Sequence, residues 1–302
     1  MSKPVFVGAA VAIVTPFYED GGINFEELKK LIEFEIAEGI DSIVICGSTG
    51  EAATMTEQEH IDAIKFAVDT VAGRVPVIAG TGSNDTAFGV ELTKKAYELG
   101  ADAALLVTPY YNKCTQEGLF RHYAKIAEAT PEMPIILYNV PSRTNVNISP
   151  ELLKKLSVYE NIVGVKECNF SQVPEIYNLC GDRYALYSGE DGLVVPMLSL
   201  GAKGVISVIA NIIPHETSKM VHDFMDGNID AAREAQIRFI PLVKAMFCEV
   251  NPIPVKEALN ILGWNAGPCR LPLCEMGAAN HDNVVEVLKD YDTSAKNAYI
   301  GK

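Results

Sequence analysis

Val7-Gly8-Ala9-Ala10-Val11-Ala12-Ile13-Val14 is an unbroken apolar run, and Thr15-Pro16-Phe17 follows it. A strand covered on both faces reads this way, without polar alternation, as parallel strands under helices do. An open doubly wound sheet marks the end of its first strand with a Gly-x-Gly-x-x-Gly turn. Here the run ends in a hydroxyl and a proline, with no glycine cradle. Seven further runs rich in Val and Ile come after it, at 42–46, 75–80, 103–107, 134–138, 162–166, 184–187 and 203–208. From the first start at 7 to the last at 203 is 196 residues over seven intervals, or 28 per unit. One strand, a turn and a helix need about 30 residues. Eight such units predict an α/β fold, a closed (β/α)8 TIM barrel.

Helical patterns fill the gaps. Asn24 stands before Phe25-Glu26-Glu27-Leu28, and the pattern closes at Gly39. An Asn cap, early acids and a terminal Gly are helix start and stop signals. Thr56-Glu57-Gln58-Glu59 opens the next helix in capping-box style, and Asp85 or Thr86 opens a third. After about residue 210 the rhythm changes to helices alone, over 214–225, 229–248, 254–263 and 282–289. Pro-rich joints at Asn251-Pro252-Ile253-Pro254 and Leu271-Pro272 interrupt them. The predicted organisation is a barrel over 1–225 and a C-terminal helical region over 226–302 packed on it.

The 302 residues carry 25 Lys and Arg against 39 Asp and Glu, a net charge of −14. Nucleic acid and anionic membrane surfaces call for a cationic face, so neither is expected as a partner. No run reaches the roughly 18 apolar residues of a transmembrane helix, and the N-terminus lacks a signal-peptide core. Cys46, Cys114, Cys168, Cys180, Cys248, Cys269 and Cys274 are odd in number and form no Cys-x-x-Cys. They read as reduced thiols of a cytoplasmic protein. The histidines at 60, 122, 215, 222 and 281 are dispersed, without metal-ligand spacing. No metal or cofactor is expected.

Barrel active sites lie at the C-terminal ends of the strands. The candidates are therefore the residues that end the runs or come just after them: Thr15, Gly47-Ser48-Thr49-Gly50-Glu51, Gly80-Thr81-Gly82-Ser83-Asn84, Thr108-Pro109-Tyr110-Tyr111-Asn112, Tyr138-Asn139-Val140-Pro141-Ser142-Arg143, Lys166-Glu167, Ser188-Gly189-Glu190-Asp191 and Ser207. Lys166 ends the run Ile162-Val163-Gly164-Val165. Burial there disfavours the ammonium and lowers its pKa. A lysine that loses its proton attacks carbonyls and forms a Schiff base. The bland readings are an ion pair with Glu167 and a lysine snorkelling to solvent, although alternation puts Glu167 on the opposite face. Tyr138 ends the neighbouring run, about 4.8 Å away across the sheet. It is either a phenol that moves protons or an aromatic plug. The Ser48-Thr49-Gly50 turn offers hydroxyls and backbone N–H groups to a carboxylate or phosphate, or is only a turn. Arg143 is a carboxylate anchor or a surface arginine.

Taken together these residues resemble the class I, pyruvate-dependent aldolase superfamily, and within it the dihydrodipicolinate synthase (4-hydroxy-tetrahydrodipicolinate synthase) family. The likeness runs from about Phe6 to the last helix. It is carried by Gly47-Ser48-Thr49-Gly50-Glu51, Thr108-Pro109-Tyr110-Tyr111-Asn112, Tyr138-Asn139-Val140-Pro141-Ser142-Arg143-Thr144, Gly164-Val165-Lys166-Glu167, Gly204-Val205-Ile206-Ser207-Val208 and Asn251-Pro252-Ile253-Pro254-Val255-Lys256. The resemblance implies a lyase of the lysine and diaminopimelate route that condenses pyruvate with L-aspartate 4-semialdehyde. It implies Lys166 as the Schiff-base nucleophile and Ser48-Thr49 as holders of the pyruvate carboxylate. Arg143 would bind the second substrate's carboxylate. Tyr138, Thr49 and Tyr111 would form a hydroxyl chain, and the backbone at Gly189 and Ile206 would line the site. Tyr111 would cross into a neighbouring subunit, so a homo-oligomer, dimer or tetramer, is implied.

Lysine-inhibited relatives use an interface site whose matching positions here are Ala53, Glu57, His60, Asn84, Phe88 and Tyr110. Glu57 stands for a histidine, and Phe88 for an acid that would meet the effector's ammonium. Weak or absent lysine inhibition is therefore expected. The competing readings are a sister lyase acting on N-acetylneuraminate or a keto-deoxy sugar acid, and a non-catalytic metabolite-binding barrel.

Overall fold

The computed structural model describes residues 3–300. Eight parallel strands, β1 (Gly8–Ala12), β2 (Ser42–Ile45), β3 (Val77–Gly80), β4 (Ala103–Val107), β5 (Ile135–Asn139), β6 (Ile162–Glu167), β7 (Ala185–Ser188) and β8 (Gly204–Ser207), pair in chain order. The ring closes where β8 pairs with β1, Ala10 against Ile206 and Val11 against Ser207. Each strand falls within two residues of its expected run.

Two apolar layers arise from the strand period of two. Inside the ring lie Ala10, Ala12, Val44, Ile78, Leu105, Ile136, Tyr138, Tyr187 and Ile206. Outside it Val11, Ile43, Ala79, Leu106, Leu137, Val165, Leu186 and Val205 meet the helices. Phe6 stacks on Tyr187 at 4.3 Å, and the Tyr187 hydroxyl donates to the Phe6 carbonyl at 2.9 Å. Because Phe6 precedes β1, this pair closes the bottom of the barrel and leaves the C-terminal mouth for chemistry.

The helix starts obey the local signals. Asn24 accepts from the Glu27 N–H at the head of Phe25–Ala37. Thr56 and Glu59 form a capping box at the head of Glu57–Val71, and Asp85 caps Thr86–Glu98. Pro214–Met225 is found as expected. Three helices come after it, Ile229–Met246, Ile253–Ile261 and Ala278–Leu288. Phe239, Leu242, Val255, Leu259 and Val284 join the same apolar layer as the barrel helices. The last helix starts four residues before the expected 282. Its cap is supplied by a distant side chain: Glu249 accepts from the Gly277 N–H at 2.9 Å and from Asn280 at 2.7 Å. A cap from 28 residues away leaves no local sequence signal.

Candidate active site

β5 and β6 run side by side with Tyr138 opposite Lys166. Both point inward at the mouth. The Lys166 ammonium nitrogen lies 4.4 Å from the centre of the Tyr138 ring. Lys166 is buried, and burial lowers its pKa against the pull of Cys168, Asp191 and Glu190, while Arg143 lowers it further. Burial likewise pushes the Tyr138 phenol up, with Cys168 adding to it. Burial thus favours the neutral form of both groups, the amine as a nucleophile and the phenol beside it as a proton donor. The alternative pairing of Lys166 with Glu167 is absent: Glu167 faces outward, into a set of amides.

The turn after β2 is set by two left-handed residues, Cys46 at φ 56° and Glu51 at φ 55°. It lies so close to β3 that a Cβ on Gly80 would come within 2.1 Å of the Cys46 carbonyl. The two hydroxyls of the turn differ in their surroundings. Ser48 is exposed, while Thr49 is 3% exposed and its hydroxyl accepts from Asn251 Nδ2 at 2.9 Å. Thr15 donates to the Gly50 carbonyl at 2.8 Å, so the residues just past β1 also hold the turn.

Arg143 sits on the short helix Pro141–Thr144 just past β5. Its guanidinium donates to the Asn251 carbonyl at 2.9 Å and otherwise faces solvent. Gly189 comes directly after β7, where an added Cβ would lie 2.4 Å from the Cys168 sulfur. A side chain there would collide with the wall beside Lys166. Ile206 is buried on β8.

A cavity of about 460 Å³ opens on this rim, and Ser48, Tyr138 and Arg143 line it. Lys166 is not part of its wall and lies against the Tyr138 ring instead. The same cavity is lined by Ala53, His60, Phe88 and Tyr110, four of the six expected effector positions. Asn84 donates to the Tyr110 carbonyl at 3.3 Å, and Glu57 is exposed outside it. His60 lies 2.7 Å from the Gly80 carbonyl, and burial lowers its pKa. Tyr111 stands apart from the other site residues. It is 92% exposed at φ 65°, at the tip of the β4 loop.

The model of the dihydrodipicolinate synthetase family matches residues 5–291. The chain belongs to this family. The 4-hydroxy-tetrahydrodipicolinate synthase of Acetivibrio thermocellus is 56% identical over 291 residues, which cover 96% of this chain and 99% of that one. The solved dihydrodipicolinate synthase of Aquifex aeolicus has a TM-score of 0.92 at 45% identity, over 98% of this chain and 100% of that one. The Acinetobacter baumannii synthase, solved complexed with pyruvate, has a TM-score of 0.91 at 44% identity, over 94% and 98%.

This member of the dihydrodipicolinate synthetase family also holds its site with residues that strand ends alone do not reveal. Lys256 donates to Glu51 Oε1 at 2.9 Å and to the Pro268 carbonyl at 2.6 Å. The Arg270 backbone N–H donates to Glu51 Oε2 at 2.9 Å. Phe17 lies between the two cations, its ring centre 4.4 Å from Lys256 and 4.2 Å from Arg270. Asp191, a candidate already visible just past β7, is buried against the end of β8 and accepts from the Val208 and Ile209 N–H groups at 2.9 and 3.2 Å. The signal present in the sequence is the Asn251-Pro252-Ile253-Pro254-Val255-Lys256 motif, whose polar ends face the turn.

Proposed function

We propose that the chain condenses pyruvate with L-aspartate 4-semialdehyde to 4-hydroxy-tetrahydrodipicolinate, in lysine and diaminopimelate biosynthesis. The observation that carries this reading is the buried Lys166 amine beside the Tyr138 ring. The names of relatives at 50–56% identity support the same product.

The arrangement of these side chains supports the following steps. The Lys166 amine attacks the ketone of pyruvate, and loss of water gives an imine, with Tyr138 supplying the proton that the departing hydroxyl needs. The Ser48-Thr49 turn holds the pyruvate carboxylate. Asn251 occupies the Thr49 oxygen as a donor, so the Thr49 proton remains to be given away. Removal of a methyl proton turns the imine into an enamine, whose carbon attacks the aldehyde while Arg143 holds the second carboxylate. The substrate's own amine then displaces Lys166 and closes the ring, which frees the lysine. One water is lost overall. The backbone at Gly189 and Ile206 lines the pocket.

Tyr111 completes the proton chain from a second copy of this chain. Its 92% exposure leaves it free to enter a neighbour's site, so we place the active species as a homo-oligomer, dimer or tetramer. Of the expected 226–302 region, the described residues to 300 belong to the same working unit as the barrel, because Asn251 and Lys256 reach the turn, and residues 1–2 and 301–302 lie outside the described residues. All seven cysteines are free thiols, which supports a reducing, cytoplasmic compartment. Among the described residues no helix is long and apolar enough to cross a membrane.

The test is incubation with pyruvate and borohydride, then peptide mass spectrometry. The expected adduct is on Lys166, and Lys166→Ala keeps the fold and loses it. An unmodified Lys166 removes the Schiff-base reading. Faster turnover of N-acetylneuraminate than of aspartate semialdehyde moves the function to the sister lyases.

A further inference from the structure

Glu167 comes directly after Lys166 and points the other way. It is 1% exposed, and its partners are amides rather than cations. Oε1 accepts from Asn139 Nδ2 at 2.7 Å and from the Asn169 backbone N–H at 2.6 Å, and Oε2 accepts from Gln172 Nε2 at 2.8 Å. Around them Asn147 accepts from Asn139 at 2.9 Å and donates to Gln172 at 2.9 Å. A buried carboxylate without a cation is costly, so amide donors must offset its desolvation. Burial nonetheless holds the carboxyl at about 7.

The second observation is in the ladder. β5 and β6 pair Ile135 with Ile162, then Ile136 with Gly164, so β6 takes up Val163 as an extra residue. From there Tyr138 meets Lys166 and Asn139 meets Glu167. Had the first register continued, Tyr138 would face Val165 and Lys166 would lie beside Asn139. A slip of one residue turns every side chain to the other face of the sheet, and would move Lys166 out of the barrel. Bulges are rare in parallel sheets and are found next to active sites. This one shifts the register two pairs before Tyr138 and Lys166, and the first outward side-chain bond beyond that pair joins Glu167 to Asn139.

We propose that Glu167 is a positioning residue for the imine chemistry: its hydrogen bond to Asn139 holds β6 in the shifted register that sets Lys166 against Tyr138. The inner pair carries the reaction and the outer pair fixes where it stands. This rests on the Schiff-base reading above and adds a residue that touches no substrate.

The test is Glu167→Gln, which replaces one of the two acceptor oxygens with an amide donor, so that Asn139 and Gln172 cannot both keep an acceptor. The rate of pyruvate trapping on Lys166 is measured by rapid borohydride quench, with thermal unfolding in parallel. The expected result is a folded protein whose trapping rate falls by about tenfold or more, as a misplacement of about 1 Å at a reacting group does. The swap E167Q/N139D restores an acceptor opposite a donor and recovers the rate to within about threefold. A purely structural Glu167 would lower the unfolding midpoint and leave trapping per folded molecule unchanged. A folded E167Q that traps at the wild-type rate overturns the proposal. Should E167Q not fold, Asn139→Asp removes the donor to Glu167 Oε1 while keeping the Oδ1 that accepts from the Ile148 N–H, and decides: slowed trapping supports the clamp, and a wild-type rate overturns it. Wild-type protein that traps nothing overturns the Schiff-base reading itself, and this proposal with it.

Discussion

The Lys256 ammonium lies 2.9 Å from the Glu51 carboxylate, and both side chains are out of contact with water at 2% and 1% exposure. The partners stand 205 residues apart. Glu51 closes the Ser48-Thr49 turn, so the helical region holds that turn, the proposed carboxylate holder, from behind. Lys256→Met strands the carboxylate in the interior. Removing one partner of such a pair costs about 3–5 kcal/mol. The expected outcome is a lower denaturant midpoint and a higher KM for pyruvate. In K256M/E51Q no unpaired charge remains, so much of the stability returns while the KM stays high. A K256M protein that unfolds at the wild-type midpoint would refute this account.

Burial lowers the Lys166 pKa below the ordinary lysine value of 10.5. Only the neutral amine attacks a ketone, so the rate of imine formation should climb with pH and level off before 10.5. Tyr138→Phe removes the proton donor beside it without adding charge. It should slow turnover by more than about tenfold, the usual contribution of a positioned acid. Stopped-flow imine formation across a pH series reads the first effect, and steady-state turnover the second. A midpoint at or above 10.5 would show that Lys166 is solvated, contrary to its 6% exposure.

The strands were legible because a parallel barrel buries both faces, and runs such as Ala103-Ala104-Leu105-Leu106-Val107 leave that trace in the composition itself. Lys166 was legible for the same reason, as a charge where the run should have stayed apolar. The Val163 bulge was not. Both registers place apolar residues on both faces up to Val165, and only the contacts of Lys166 and Glu167 distinguish them. Lys256 and Asn251 were visible only as parts of a motif, since a partner some 200 residues away leaves no local periodicity.

Phe88 lies 36% exposed on the cavity wall with Ala53, His60 and Tyr110. It brings no charge to an ammonium, and the Gly80 carbonyl already occupies the His60 ring nitrogen. Initial rates should therefore be insensitive to lysine below the millimolar range, and Phe88→Glu should introduce inhibition by restoring an ion-pair partner. Strong inhibition of the wild-type protein by sub-millimolar lysine would contradict this.

Glu35 is fully buried in Phe25–Ala37, and neither carboxyl oxygen has a hydrogen-bond partner. Burial holds its pKa well above 4.5, and Glu38 adds to the shift. It sits in the last turn, which has no basic residue, where the helix dipole also disfavours an anion. In the unfolded chain the carboxyl ionises near 4.5, while the folded protein keeps it protonated to higher pH. Between those two values the unfolded state has lost a proton that the folded state retains. Stability therefore falls as pH rises through this window and is level above it. Glu35→Leu removes that loss along with the unpaired polar group, which alone costs about 1–3 kcal/mol. Urea unfolding should show E35L more stable than wild type, with the gain larger at mildly alkaline pH than just above 4.5. An equal gain at both would mean that Glu35 does not change protonation on folding.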